Sequence, residues 1–138
     1  MSSKEFDIGN DHVATFAELV QDSNPFHLEP AYAATTRYKQ PICHGMLCAS
    51  YISGCLVECF GQGTIYLEQQ LSFRRPVPVG SRIRVVLGDP QPDGERLRLT
   101  TLVELQVRTL WKKAIEGSAL ILPGNAGQET GTHSEKGC

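Results

Sequence analysis

Asp22-Ser23-Asn24-Pro25-Phe26-His27 sets a carboxylate and an imidazole five residues apart, and His44-Gly45-Met46-Leu47 follows after a short gap. Asn24-Pro25 favours a turn over a continuing helix, so both groups fall on one turn-rich loop. A carboxylate and an imidazole held together can share one water: one takes a proton from it while the other delivers a proton elsewhere. His44-Gly45 also opens the longest apolar stretch of the chain. A helix beginning there offers unpaired backbone N–H groups able to hold a developing oxyanion. Acid, base and oxyanion donor in one short region are the parts of an enzyme.

The elements that must position these groups are visible in the hydrophobic pattern. Asn10 is a suitable N-cap, and Val13, Phe16, Ala17 and Val20 follow at helical spacing, which predicts a short amphipathic helix ending just before Asp22. A short first strand is expected over residues 4–8. Residues 30–38 read as a second helical patch with Pro30 in its first turn, stopped by Gln40-Pro41. From residue 44 to 60, Glu58 is the only Asp, Glu, Lys or Arg. That predicts a helix buried on every side and roughly 25 Å long, closed by Gly61-Gln62-Gly63.

The remainder alternates with period two. Ile65, Leu67, Leu71 and Phe73 fall on one strand face; Ile83, Val85 and Leu87 on another; Leu97, Leu99, Val103, Leu105 and Val107 on a third, with a last strand over residues 111–122. One-sided alternation belongs to an antiparallel sheet with a solvated face. The expected fold class is α+β, a sheet wrapped around one long helix. Residues 1–122 form the single expected domain. Residues 123–138 lack any large apolar side chain and are expected to be a disordered tail.

Bulk composition agrees and excludes several classes. The 138 residues suffice for one domain with a real core, and 41% hydrophobic with 20% charged residues is close to the globular average. The net charge of −2 conceals an asymmetry, −4 over residues 1–60 against +3 over residues 61–122. A mildly basic second half suits the phosphates of a nucleotide-like ligand and is far too weak for nucleic acid. The N-terminus has no apolar signal region, and the best membrane candidate, residues 45–60, is shorter than the roughly 20 residues a span needs. A cytoplasmic protein with no membrane or nucleic-acid partner is expected.

Residues 16–54, FAELVQDSNPFHLEPAYAATTRYKQPICHGMLCASYISG, resemble the signature region of the MaoC-like (R)-specific enoyl-CoA hydratases. That pattern is an Asp, then Asn-Pro, then a His five residues after the Asp, then His-Gly-Met-Leu. Gly63-Thr64-Ile65-Tyr66-Leu67 and Phe73-Arg74-Arg75-Pro76-Val77 resemble the family's strand after its central helix. The resemblance covers residues 4–122. It implies a hot-dog fold, usually a homodimer with sites near the subunit interface. It also implies reversible syn addition of water to a trans-2-enoyl-CoA, giving an (R)-3-hydroxyacyl-CoA. Carried over, Asp22 and His27 are the catalytic pair and Gly45 supplies the oxyanion N–H. Ser53 supports the Asp22 side, and Asn24 lies on the substrate side. No metal or redox cofactor is implied, since CoA is part of the substrate. Gln21, Glu29 and Cys43 depart from common family residues, and none of these departures removes a catalytic group.

Two alternatives stand beside hydration. An acyl-CoA thioesterase on this fold commonly uses a carboxylate on the central helix, where Glu58 is the only candidate. A silent acyl-CoA-binding subunit would be expected to lack Asp22 or His27. Other residues have blander readings. His44 suits a structural role at the helix start, and Ser53 suits a tight helix contact. Cys48, Cys55 and Cys59 share a helical face as small buried residues without a zinc pattern. Arg74-Arg75 and Lys112-Lys113 suit CoA phosphates or solvated strand ends equally. His12 and His133 have no assigned role. Acyl chain length stays open, because it depends on which side chains meet the acyl group.

Overall fold

The computed structural model describes residues 1–124, so all but the first two residues of the expected tail lie outside the described residues. The Gly124 N–H donates to the Phe60 carbonyl at 3.0 Å and to the Thr64 hydroxyl at 3.1 Å.

The chain begins with β1 (Ser2–Asp7), longer than expected, and α1 (Asn10–Val20). Gly9, not Asn10, is the N-cap of α1; the Gly9 N–H donates to His12 Nδ1 at 2.9 Å, so His12 acquires a capping role. Val13 and Ala17 are buried, whereas Val20 is exposed at the open C-terminal end of α1. Two single-turn helices follow, α2 (Pro25–Leu28) and α3 (Pro30–Ala33). The second helical patch is therefore one turn long. Thr35 and Thr36 hydroxyls donate to the carbonyls of Tyr32 and Ala33, and Lys39 turns the chain at φ 66°.

The long helix α4 spans Gly45–Phe60 and is followed by β2 (Ile65–Phe73), β3 (Arg82–Leu87), β4 (Gln91–Asp93), β5 (Arg96–Val107) and β6 (Leu110–Leu122). The six strands form one antiparallel sheet in the order β1-β3-β5-β6-β2, with short β4 paired to β5. Leu47, Cys48, Ile52, Cys55 and Leu56 of α4 pack on Ile83 and Val85 of β3, Leu99 and Val103 of β5, and Ile115 and Ile121 of β6 in one core. This is the hot-dog arrangement, a sheet curled over a helix.

Two expectations change. Helix α4 is not buried all round: Met46, Ser50, Ser53, Gly54 and Val57 form an exposed stripe at helical spacing, because the sheet covers only the opposite side. On β2, only Leu71 packs against the core, while Ile65, Leu67 and Phe73 are exposed. Strand β2 is an edge, and its register with β6 shifts between Tyr66 and Glu68, so strict alternation is broken there. The solvated face expected of β3 and β5 carries exposed Arg82, Arg96 and Arg98, while Arg84 and Glu104 on it are largely covered. Arg84 donates to Glu104 and lies over the Trp111 ring, 4.3 Å from its centroid.

Candidate active site

The carboxylate is placed by the end of α1. Gln21 adopts a left-handed conformation at φ 60°, and the Asp22 N–H donates to the Ala17 carbonyl at 3.0 Å, closing the helix. The Asn24 N–H then donates to Asp22 Oδ1 at 3.3 Å. Asn24 caps α2, its side-chain oxygen accepting from the Phe26 N–H at 3.1 Å with Pro25 in the first turn. Capping orients the turn that carries His27, and Asn24 does not line the cavity described below.

His27 is fixed from the other side. The Ile42 N–H donates to the Phe26 carbonyl, and His27 Nδ1 lies 2.5 Å from the Ile42 carbonyl oxygen. A carbonyl only accepts, so Nδ1 carries the hydrogen and Nε2 holds the lone pair of the neutral ring. Residues 41–43 are in turn tied to residues 77–79: Cys43 N–H donates to the Val77 carbonyl at 2.7 Å, and Val79 N–H to the Pro41 carbonyl at 3.0 Å. The loop bearing His27 is thus braced against the sheet rather than hanging free.

His44 is the N-cap residue of α4, and its carbonyl accepts from the Leu47 and Cys48 N–H groups. Gly45, the first residue of the helix, keeps an N–H with no intrahelical acceptor, at the positive end of the helix dipole. His44 is buried, at 3% exposure, and its ring stacks on that of His27 with centroids 3.8 Å apart. Asp22, His27 and His44 offer donor atoms that all lie within 4.8 Å of one another. Stacked rings 27° from parallel direct their in-plane lone pairs side by side rather than at a common point, and His44 Nε2 and His27 Nδ1 already contact backbone carbonyls. Those contacts leave His27 Nε2 and His44 Nδ1 as the ring nitrogens that no backbone carbonyl engages.

His27 and Gly45 open into one cavity of about 510 Å³. Its walls are largely apolar (Ile42, Met46, Phe73, Val77 and Ile115), with Arg37, Tyr38, Arg74 and Arg75 among the polar groups. Cys43 and Cys48 are buried free thiols in the same wall. A hydrogen bond from Cys48 lowers the Cys43 thiol pKa, and the same contact together with burial raises that of Cys48. Of the two basic pairs considered from sequence, Arg74-Arg75 reaches this cavity and Lys112-Lys113 does not. Arg74 is engaged with Glu116 at 2.7 Å. Sequence reasoning missed Arg37 and Tyr38, which form a hydrogen bond at 3.1 Å; no motif marks them. Ser53 lies elsewhere, on the exposed stripe of α4 beside Tyr66, Gln69 and Leu71. Within one chain, the structure brings together Asp22, His27 and Gly45 and leaves Ser53 apart.

A hot-dog domain with a carboxylate–imidazole pair at the start of its central helix defines a class of acyl-thioester enzymes. The chain belongs to the MaoC-like domain family, which residues 2–103 match. It is 44% identical over 122 residues to the (R)-specific enoyl-CoA hydratase of Aeromonas caviae, spanning 86% of this chain and 87% of that protein. Among solved structures, the A. caviae (R)-hydratase involved in PHA biosynthesis superposes with a TM-score of 0.81 at 38% identity, covering 89% of this chain and 93% of that one. The unliganded R-hydratase of Pseudomonas aeruginosa gives a TM-score of 0.78 at 36% identity, covering 88% of this chain and 78% of that one. Among the described residues no helix is long and apolar enough to cross a membrane.

Proposed function

We propose that this protein is an (R)-specific enoyl-CoA hydratase, adding water reversibly and syn across a trans-2-enoyl-CoA to give an (R)-3-hydroxyacyl-CoA. The observation that carries the reading is that His27, whose ring nitrogens lie close to the Asp22 carboxylate, opens with the Gly45 helix start into one apolar cavity. The named activity of the A. caviae relative supports it.

In this reading the Asp22 carboxylate and the neutral His27 Nε2 are both acceptors. A water between them directs one O–H at each, which leaves its oxygen lone pairs free to attack C3. As the C3–O bond forms, the π electrons of C2=C3 move toward the thioester, whose carbonyl oxygen takes the Gly45 N–H. The pair removes one proton from the water and C2 receives one, so the pair ends as it began. Asp22 is assigned as the base toward water, His27 Nε2 holds the water's other O–H as its partner, and the proton taken from the water is the one the pair returns to C2. The scheme requires no metal or redox cofactor, and CoA enters with the substrate. Arg37 and Arg75 suit CoA phosphates better than Arg74, which Glu116 already engages.

A homodimer belongs to the same reading. The exposed α4 stripe and the apolar edge of β2 form surface that a second copy would cover, and Ser53 lies within it. A cytoplasmic location accompanies a CoA-thioester substrate. The thioesterase alternative is disfavoured by Glu58, which pairs with Lys4 at 2.7 Å near the far end of α4, about 20 Å along the axis from Gly45.

The test follows crotonyl-CoA and octenoyl-CoA at the enoyl-thioester absorbance while titrating free thiol. Wild type is expected to consume the absorbance without releasing CoA, and Asp22→Asn and His27→Ala to lose about 10²–10⁴-fold in rate. Release of CoA would replace hydration by thioester hydrolysis.

A further inference from the structure

His44 is buried where it touches all three parts of the site, and the hydratase scheme assigns it no step. Its Nε2 lies 2.9 Å from the Asp22 carbonyl oxygen, so Nε2 carries the hydrogen and donates. The Asp22 main chain is thereby held at both ends, its N–H on Ala17 and its carbonyl on His44. On its face, His44 stacks against His27; the Phe16 ring meets it edge-on at 5.1 Å. Through its own carbonyl, it caps the first turn of the helix that presents Gly45.

The remaining nitrogen gives this arrangement a direction. His44 Nδ1 is buried and has no hydrogen-bond partner among the described residues. A hydrogen on Nδ1 would be left in the interior without an acceptor. The arrangement therefore fixes the tautomer, with the His44 hydrogen on Nε2 and the lone pair on Nδ1.

The geometry points to His44 as a positioning residue for the Asp22–His27 pair: its N–H sets the stance of Asp22 and its ring sets that of His27. This rests on the hydratase reading, so the test has one arm that needs no turnover. In the kinetic arm, His44→Gln keeps an N–H near the Nε2 position and removes the ring. His44→Phe keeps a stacking ring and removes the donor. Each is expected to lower kcat for crotonyl-CoA by about tenfold or more, with KM within about threefold and Tm little changed, because misplacement by about 1 Å can cost about a hundredfold. Either variant retaining kcat, or losing KM and Tm in step with it, would overturn the assignment. In the second arm, ¹⁵N NMR of the wild-type imidazoles is expected to show the His44 hydrogen on Nε2 and the lone pair on Nδ1. The Nδ1–H tautomer would overturn the proposal even if the variants do not fold. Wild type that shows the Nε2–H tautomer while hydrating neither crotonyl-CoA nor octenoyl-CoA would sink the functional reading and leave the tautomeric arrangement standing.

Discussion

The Phe73 ring lies directly against Gly45: a Cβ built on Gly45 would come within 2.6 Å of Phe73 Cε1 and 2.7 Å of Cδ1. The end of edge strand β2 thus closes over the start of α4, at the N–H assigned to the oxyanion. The glycine is needed here for closeness of approach, not for an unusual backbone angle.

Gly45→Ala is accordingly expected to cost about 1–3 kcal/mol through overpacking, and far less in a Phe73→Ala background. Chemical denaturation of the four proteins in the cycle measures the coupling. Additive costs would mean that the helix start, rather than the ring, resists the extra methyl group.

Glu58 offers a clean contrast with Asp22. Its carboxylate faces Lys4 on β1, whereas that of Asp22 lies beside the His27 and His44 rings. Glu58→Gln should leave hydration of crotonyl-CoA within about twofold, since exposed ion pairs contribute little even to stability. A large loss of turnover would bring the central-helix carboxylate back into the chemistry.

The exposed edge of β2 predicts an assembly. Ile65 is 53% exposed and Leu67 is 37% exposed on a nine-residue edge strand. Sedimentation velocity should give a dimer for wild type and a monomer for Ile65→Glu/Leu67→Glu, because two facing carboxylates repel across a two-fold axis. A wild-type monomer, or a dimer that survives both charges, would remove β2 from the interface.

Acid should reveal the Asp7–Arg82 pair. Arg82 donates to the Asp7 carboxylate through Nε at 2.9 Å, holding the Asp7 pKa below its ordinary value. A pKa lowered by folding contributes stability that is present above the unfolded value and lost as pH falls through the folded one. Arg82→Gln should therefore have a slightly lower Tm than wild type above about pH 5, and the two curves should converge as Asp7 protonates. A Tm difference that persists at the acid end would point to lost packing of the arginine stem instead.

Much of this protein was legible along the chain. The spacing of Asp22, Asn24-Pro25 and His27, and the start of α4 at His44-Gly45, come from local turn and helix chemistry within a few residues. Period-two alternation in β3 and β5 marked the core face, since every second side chain shares a side. Where elements depend on distant neighbours, local pattern misled. Strand β2 reads as half-buried but lies at an edge with a register shift, and α4 reads as wholly buried but exposes a stripe the sheet does not reach.

Residue types and spacings by themselves determined the chemistry available here: one carboxylate, one imidazole and one helix N-terminus within reach of a short loop. Only the tertiary structure decided how those groups are held. Ile42, fifteen residues beyond His27, fixes which imidazole nitrogen has the lone pair. His44, twenty-two residues beyond Asp22, anchors its carbonyl. Arg37, Tyr38 and Phe73 join the cavity from separate segments, while Ser53 is turned away from it. Contacts at such separations depend on how the sheet curls over the helix, and no local rule of propensity or period encodes that packing.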